Sequence, residues 1–378
     1  MVIYELAILG NPTTAQLDEL TKRLDQAAEH FQLKINVDIR LSIKPKQFSP
    51  DPKSASAVIF YGGLGSSSID VQSILSSKTI PILPVASSIK SLSDEIPESL
   101  KSLNCMFYDK EGAERVFSAF LECVELLPRQ RRVFLSYKRD DSTPVALQLF
   151  ATLSARGFNV FLDTHSIGPA LEFQDELWHQ LCEVDVLLML ETPNYFTSRW
   201  TTAEFGRALS KGIGVLQVQW PDLTPSIITG TSSRVELINT EIDANGELEI
   251  SAINRICLQL EQVRTLSHAV RHVSVIQSVV NAVKKINAQI DGVGPNKVIY
   301  ITLKSGKKML IQPHIGIPDA LTLQSTLERA GVLSSAIVYD HLGLKASWIN
   351  HLEWLGHNIQ GTQWIKSSEA AWQFAGYY

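Results

Sequence analysis

The stretch that decides the fold is Val133-Phe-Leu-Ser-Tyr-Lys-Arg-Asp-Asp141, an apolar run that ends in charged residues. Two related pieces follow it, Phe158-Asn-Val-Phe-Leu-Asp163 and Ser198-Arg-Trp-Thr-Thr-Ala-Glu204. The first two predict buried strands with polar residues at their carboxyl ends, and the third predicts the start of a helix that carries one carboxylate. Because the carboxyl ends of parallel strands share one edge of a sheet, we expect the three pieces to form one site.

Strand and helix patterns alternate on both sides of this stretch, which predicts parallel sheets covered by helices. Strands are expected at 3–9, 35–41, 57–61, 80–85, 133–137, 159–162, 186–190 and 215–218. Two separate helices, 250–263 and 269–290, are expected to follow, and then a β-hairpin at 298–311. The last third of the chain is therefore predicted to be α+β.

The length of 378 residues predicts more than one domain. We expect an N-terminal α/β domain at 1–128 for sensing or assembly, a central domain at 129–264, and a C-terminal helix with a small α+β domain at 265–378. The boundary segment Leu126-Leu-Pro-Arg-Gln-Arg-Arg132 combines proline with a basic cluster and is interpreted as a solvated linker.

Composition excludes several classes of protein. The net charge of −5 is unlike that of a nucleic-acid binder, which needs a basic surface. No CxxC pair occurs among the four cysteines, and the spacing of His341, His351 and His357 does not indicate a zinc site, so no metal is expected. The sequence shows neither a signal-peptide pattern nor a run of about 18 apolar residues, and we expect a cytoplasmic protein without a membrane partner.

Two other features have a functional and a structural interpretation. The loop Gly62-Gly-Leu-Gly-Ser-Ser-Ser68 could bind a phosphate at a helix N-terminus, but it matches no phosphate-binding fingerprint, and a tight turn is favoured. The tryptophans near the end of the chain could line a pocket, and a core position is favoured for them.

The middle segment resembles the Toll/interleukin-1 receptor (TIR) domain family. The resemblance begins at Phe134-Leu-Ser-Tyr137 and continues through Gly157–Asp163, Phe173-Gln-Asp-Glu-Leu177, Val184–Leu190 and Ser198-x-Trp200-x-x-x-Glu204. It implies a flavodoxin-like parallel sheet in a central domain. The N-terminal α/β domain has a similar order of elements and is interpreted as a degenerate copy, without the Trp-x-x-x-Glu pattern.

The resemblance also implies an activity and its residues. Many TIR domains cleave NAD⁺ at the nicotinamide–ribose bond, and their catalytic glutamate matches Glu204. The residues expected to bind substrate are Phe134, Tyr137, Arg139, Asp163, Ser198 and Trp200. NAD⁺ would be the substrate, and no cofactor is expected. The loop 164–171 would mediate self-association, although its Gly168-Pro169 order departs from the family pattern; His165 within it is interpreted as solvated.

The expected function is therefore an NAD⁺ glycohydrolase that yields nicotinamide plus ADP-ribose or a cyclic isomer. An antiphage or immune effector, activated by oligomerisation in response to a nucleotide or protein trigger, is the context that the family resemblance implies. The alternative is a non-enzymatic TIR scaffold that signals through TIR–TIR contacts. A separate alternative concerns Glu204 itself, which could be an ordinary surface carboxylate paired with Arg207 along the helix.

Overall fold

The computed structural model describes residues 2–51, 54–63, 71, 74, 80–127, 131–162, 180–224, 229, 232–294, 297–341, 344 and 346–376. The side chain of residue 269 is also outside the description. Asp163, the loop 164–171 and the predicted helix start at Phe173 lie outside the described residues, as does most of the glycine-rich loop Gly62–Ser68.

The N-terminal segment forms a five-stranded parallel sheet, as the alternating pattern predicts. Its strands are β1 (Tyr4–Gly10), β2 (Ile39–Ile43), β3 (Ala55–Tyr61), β4 (Ile82–Ala86) and β5 (Met106–Phe107). The described helices of this segment are α1 (Thr14–His30), α2 (Leu92–Glu95) and α3 (Tyr108–Cys123). The sheet order is β2-β1-β3-β4-β5, which is the flavodoxin-like order.

The middle segment repeats this arrangement. Its strands are β6 (Arg132–Ser136), β7 (Asn159–Leu162), β8 (Val186–Glu191), β9 (Gly214–Gln219) and β10 (Ser233–Glu236). They form a parallel sheet in the order β10-β9-β8-β6-β7. Counted from the first strand of each sheet, the order is identical to that of the N-terminal sheet. The described helices here are α4 (Arg139–Ala155) and α5 (Arg199–Ser210).

Helix α4 starts earlier than the sequence predicts. The pattern favours a start at Pro144, but the chain turns helically from Arg139 and is interrupted at Ser142, whose φ and ψ are −145° and 21°. Proline lacks the amide hydrogen of a regular helix and is tolerated in a first turn, so the regular part of α4 begins close to Pro144. Phe150 is exposed, although the helical pattern predicts an inward position for it.

A single helix, α6 (Ile250–Lys285), replaces the two predicted helices. Its 36 residues contain neither glycine nor proline, so the backbone has no reason to break near 264. The predicted domain division at 264/265 lies within this helix. The division into three domains stays a prediction.

The C-terminal segment forms a third, mixed sheet in the order β11-β12-β13-β14-β15. Its elements are β11 (Gln289–Val293), β12 (Ile299–Thr302), β13 (Lys308–His314), α7 (Ala320–Ala330), β14 (Ser334–Tyr339), α8 (Ala346–Asn358), β15 (Thr362–Lys366) and α9 (Ala370–Ala375). The predicted hairpin is confirmed by the antiparallel pairing of β12 with β13. The α/β class with a C-terminal α+β part is therefore correct.

The chain divides into two compact units. One contains Met1–Glu29, Leu33–Leu126 and His272–Tyr378, and the other contains His30–Gln32 and Leu127–Arg271. Within the first unit, the N-terminal and C-terminal sheets contribute to one apolar cluster, in which Leu9 and Phe60 pack with Val298 and Leu310.

Arg131, in the basic cluster before β6, is not solvated as the sequence suggests. Arg131 is 0% exposed, and its Nη2 lies 2.5 Å from Oε2 of Glu261. The other oxygen of Glu261 lies 2.8 Å from Nη2 of Arg264, which is also fully buried. Burying charges is unfavourable unless they are paired, and this network provides the pairing.

Candidate active site

The loops that follow β6 and β8 meet at the carboxyl edge of the middle sheet. These two strands are parallel neighbours, with Ser136 opposite Met189. Beyond their ends, Lys138 Nζ donates a hydrogen bond to Thr197 Oγ1 at 3.1 Å, and Thr192 Oγ1 donates to Asp141 Oδ2 at 2.8 Å. Two of the polar clusters predicted from the sequence therefore lie together.

Glu204 lies on α5 and faces this edge from the inside of the domain. Helix α5 begins after Ser198, whose side chain accepts a hydrogen bond from the backbone N–H of Thr201. Glu204 is 2% exposed, and its Oε2 accepts a hydrogen bond of 2.5 Å from the hydroxyl of Ser136, the last residue of β6. The interpretation of Glu204 as an ordinary surface carboxylate is therefore wrong.

Tyr195 contacts both strand β6 and helix α5. Its hydroxyl lies 2.6 Å from Ser136 Oγ and is completely buried. Burial raises the pKa of Tyr195 well above its ordinary value, and the nearby carboxylates of Glu204 and Glu191 raise it further. The phenol therefore remains protonated and can act as a hydrogen-bond donor. A hydrogen bond from Thr201 Oγ1 to the carbonyl of Tyr195 holds the turn against α5.

Trp200 lies one helical turn before Glu204 and is half-buried. Residues four apart on a helix share a face, so the indole and the carboxylate are close neighbours on α5. The guanidinium of Arg199 lies 5.1 Å from the centroid of the indole ring, where it makes a cation–π contact.

The other predicted residues are more dispersed. Phe134 is 0% exposed and packs on Phe161 in the core, two residues before Ser136 on the same face of the sheet. Tyr137 packs against the cluster on the opposite face, and Arg139 is exposed in the first turn of α4. The structure thus places Ser198 at the N-cap of α5 and Trp200 one turn before Glu204. It places Phe134 two residues before Ser136 on the same face and Tyr137 on the opposite face. Asp163 is outside the described residues.

Several functional candidates were missed by sequence reasoning. Glu191 ends β8, is 5% exposed, and lies beside Gln219 at the end of β9, which is 4% exposed. Burial raises the pKa of Glu191, and the nearby Arg234 lowers it in part. The signal in the sequence was a single carboxylate directly after the apolar run Val186–Leu190. Ser136 was inside a quoted motif, but its contact with Glu204 depends on the tertiary packing.

Metal and membrane sites were also considered for the described part of the chain. There, no group of three or more His, Cys, Asp or Glu side chains could hold a metal ion. None of the described helices combines the length and apolar character needed to cross a membrane.

The flavodoxin-like sheet and the buried carboxylate beyond its carboxyl edge define an α/β domain of the kind that binds ligands at strand ends. The family model of the TIR domain matches residues 133–247, and this part of the chain is a TIR domain. The match covers less than a third of the chain.

The chain was also compared with solved structures and with curated proteins. A crystal structure of the leucine-binding protein LivK from Thermotoga maritima is similar over 82% of this chain and 97% of its own, with 11% identity and a TM-score of 0.20. At that TM-score the likeness carries no argument about fold or function. No curated protein matches the chain significantly.

Proposed function

We propose that this protein cleaves NAD⁺ at the nicotinamide–ribose bond, with Glu204 as the catalytic carboxylate. The observation that carries the proposal is the position of Glu204, which is buried at the carboxyl edge of a TIR sheet and hydrogen-bonded to Ser136. A carboxylate on the surface would interact with a substrate through water. One in a buried site acts at a lower effective dielectric, where its electrostatic effect is stronger.

The reaction requires little more than charge stabilisation. When the C–N bond breaks, the electron pair goes to the pyridine nitrogen, and nicotinamide leaves as a neutral molecule without a general acid. Positive charge develops on the ribose, and the Glu204 carboxylate stabilises it. A water oxygen then bonds to C1′ and releases a proton to solvent, which gives ADP-ribose. Attack by a nucleophile in the adenosine part of the same molecule, with release of a proton, gives a cyclic isomer instead.

Trp200 and Ser136 have supporting roles in this proposal. Ser136 holds the Glu204 carboxylate through one short hydrogen bond, which fixes its orientation before substrate binds. Trp200 offers the aromatic surface next to Glu204 on which a nicotinamide ring can stack. No cofactor takes part, and NAD⁺ is the substrate.

The wider context of this proposal comes from the family. Self-association through the loop 164–171 would activate the TIR domain, in an antiphage or immune response to a nucleotide or protein trigger. The segments 1–128 and 265–378 would then sense the trigger or drive assembly, since the glutamate with its serine and tryptophan neighbours lies in the TIR domain.

An assay of nicotinamide release tests the proposal. The full chain, concentrated and dilute, is incubated with NAD⁺ beside the Glu204→Gln variant, and products are separated by mass and chromatographic mobility. We expect turnover by the wild type and a loss of at least a hundredfold in the variant, typical of removing a main electrostatic stabiliser. No turnover by the wild type under any assembly condition would instead favour the TIR scaffold that signals by contact. Equal turnover by both proteins would refute Glu204 as the catalytic carboxylate.

A further inference from the structure

The face of the middle sheet that carries Ser136 becomes polar at its carboxyl edge on the neighbouring strands also. Alternate residues of a strand point to the same face. Leu187 and Met189 of β8 belong to the apolar cluster that contains Phe134 and Phe205, so Glu191 lies on that face. The same counting from Val215 of β9 places Gln219 there.

Glu191 and Gln219 are neighbours across the sheet. They are paired residues in the register of β8 and β9, and adjacent strands are separated by about 4.8 Å. Both side chains are more than nine-tenths buried. Their side chains therefore form one small polar patch at the carboxyl edge of this face.

One oxygen of each side chain accepts no hydrogen bond from the part of the chain that the structure describes. These atoms are Oε2 of Glu191 and Oε1 of Gln219. The amide nitrogen of Gln219 does have a partner, the carbonyl of Leu223 at 2.5 Å, so the side chain is held in place. Buried acceptors are almost always paired in folded proteins, so two unpaired acceptors at the ligand-binding edge of a sheet are candidates for accepting hydrogen bonds from a ligand.

The neighbouring Gln217 shows that buried side-chain acceptors on β9 are not generally unpaired. It lies on the same face two residues earlier, and both ends of its amide are occupied. Its Nε2 donates to Thr229 Oγ1 at 3.2 Å, and its Oε1 accepts from Arg234 Nε at 3.3 Å. The unsatisfied acceptors are thus confined to the two residues at the strand ends.

This patch is close to the candidate catalytic group. The buried hydroxyl of Tyr195 lies 2.6 Å from Ser136, which binds Glu204. The same hydroxyl is influenced electrostatically by both carboxylates, Glu204 and Glu191. Tyr195 is therefore near both the catalytic carboxylate and the polar patch.

We propose that Glu191 and Gln219 form the subsite that binds the carboxamide of the nicotinamide ring, and so position the leaving group next to Glu204. The inference rests on the proposed NAD⁺ cleavage. A carboxamide presents an NH₂ group with two donor hydrogens, which match the two acceptor oxygens. Its carbonyl can accept a hydrogen bond from the Glu191 carboxyl when that group is protonated. Burial favours the neutral form of such a carboxyl.

The adenine ring of NAD⁺ also carries an NH₂ group, and the location of the subsite favours the carboxamide over it. The bond that breaks joins ribose to nicotinamide, so the group bound next to the catalytic carboxylate is the nicotinamide. The two sources are separable, because dinucleotides are known in which only one of the two NH₂ groups is replaced.

The test compares kcat/KM for NAD⁺, for its 3-acetylpyridine analogue, which lacks the carboxamide NH₂, and for its hypoxanthine analogue, which lacks the adenine NH₂. We expect the wild type to prefer NAD⁺ over the acetylpyridine analogue by tenfold or more, since an unpaired buried acceptor is unfavourable. Glu191→Met and Gln219→Met should reduce this preference to about threefold or less. Glu191→Gln, which keeps an acceptor oxygen, should retain most of it.

Gln217→Met is the matched control, because it removes a buried glutamine from the same face of β9. This variant should leave the ratio of kcat/KM for NAD⁺ to kcat/KM for the acetylpyridine analogue unchanged, even if it lowers the stability of the protein. A wild type without preference for NAD⁺ over the acetylpyridine analogue overturns the subsite, and this result does not depend on any variant. Variants that change only the preference against the hypoxanthine analogue also overturn it.

Failure of the subsite and failure of the NAD⁺ reaction give different results. Turnover with an unchanged preference in both Met variants refutes the subsite and leaves the reaction intact. If the wild type shows no turnover, the proposed reaction is refuted. The subsite is then tested by measuring the binding of free nicotinamide. Binding that Glu191→Met weakens at least tenfold supports it, whereas no binding, or equal binding by wild type and variant, overturns it.

Discussion

The hydroxyl of Ser136 is a single group on which the proposed chemistry depends. It donates to Glu204 and contacts the hydroxyl of Tyr195, so it connects strand β6 with helix α5 inside the domain. In the sequence it is one residue of an apolar strand, and its role emerges only when α5 packs on the sheet.

Replacing Ser136 with alanine should therefore lower kcat for NAD⁺ cleavage by about ten- to a hundredfold, because a hydrogen bond to a charged group orients the carboxylate. Ser142→Ala is the matched control, since Ser142 is similarly buried and its hydroxyl donates to the backbone carbonyl of Lys138. Steady-state nicotinamide release measures both variants. A Ser136→Ala protein with wild-type kcat would contradict the role.

Glu191 should make the stability of the folded protein depend on pH. Burial raises its pKa above the ordinary value of about 4.3, so the folded state favours the neutral carboxyl. The stabilising contribution is fully present below that ordinary pKa and is lost as pH rises through the raised one.

Glu191→Gln removes this titration and mimics the neutral form. The melting temperature of the variant relative to wild type should therefore increase as pH is raised from about 4 to 8. Taking the difference between the two proteins cancels the titration of all other groups. Parallel melting curves across this pH range would show that Glu191 ionises in the folded protein as easily as in the unfolded chain.

At the scale of elements, the tight contact between β9 and α6 depends on Gly214. A Cβ atom there would lie 2.8 Å from Cβ of Ser267 and 3.1 Å from Cγ1 of Val263. The backbone N–H of Gly214 also donates to Ser267 Oγ at 2.8 Å. The helix can approach the strand this closely because the strand begins with glycine.

Gly214→Ala should destabilise the domain by about 1–3 kcal/mol, because the helix has to move away from the strand. Gly206→Ala is the control, because Gly206 lies within α5 and no atom of the described residues is within 4 Å of an added Cβ. Alanine there should stabilise the helix by about 0.5–1 kcal/mol. The two melting temperatures should shift in opposite directions. A Gly214→Ala protein that melts at or above the wild-type temperature would contradict the packing.

Most elements could be predicted from the sequence because their apolar periodicity is local information. Strands β6 to β9 of the middle sheet and the hairpin of β12 and β13 follow directly from it, whereas β10 was not predicted. The continuous helix α6 was missed, because an internal polar run does not stop a helix that contains no breaker.

Long-range pairing explains the remaining differences. The sequence predicts that Arg131 belongs to a solvated basic cluster. In the structure Arg131 is buried, because Glu261, far along the chain, pairs with its charge. In the candidate site, Glu204 and Trp200 were predicted from the motif. Two contacts were not predicted, that of Ser136 with Glu204 and that of Tyr195 with Ser136, because they depend on how the strand, the turn and the helix pack together.

At the scale of the whole molecule, the TIR match at 133–247 lies within the compact unit that contains Leu127–Arg271. The other unit combines the N-terminal and C-terminal segments, whose sheets share one apolar cluster. We propose that this unit controls when the TIR domain works. Activity per molecule would then rise with protein concentration, because TIR domains commonly act as assemblies.

The most direct test of the central claim is the rate of nicotinamide release per molecule, measured for wild type and Glu204→Gln over a range of protein concentrations. Thermal melting of both proteins serves as the control for folding. The proposed function predicts turnover by the wild type that rises with concentration, and a rate at least a hundredfold lower for a variant that is folded. A folded Glu204→Gln protein that releases nicotinamide at the wild-type rate would contradict it.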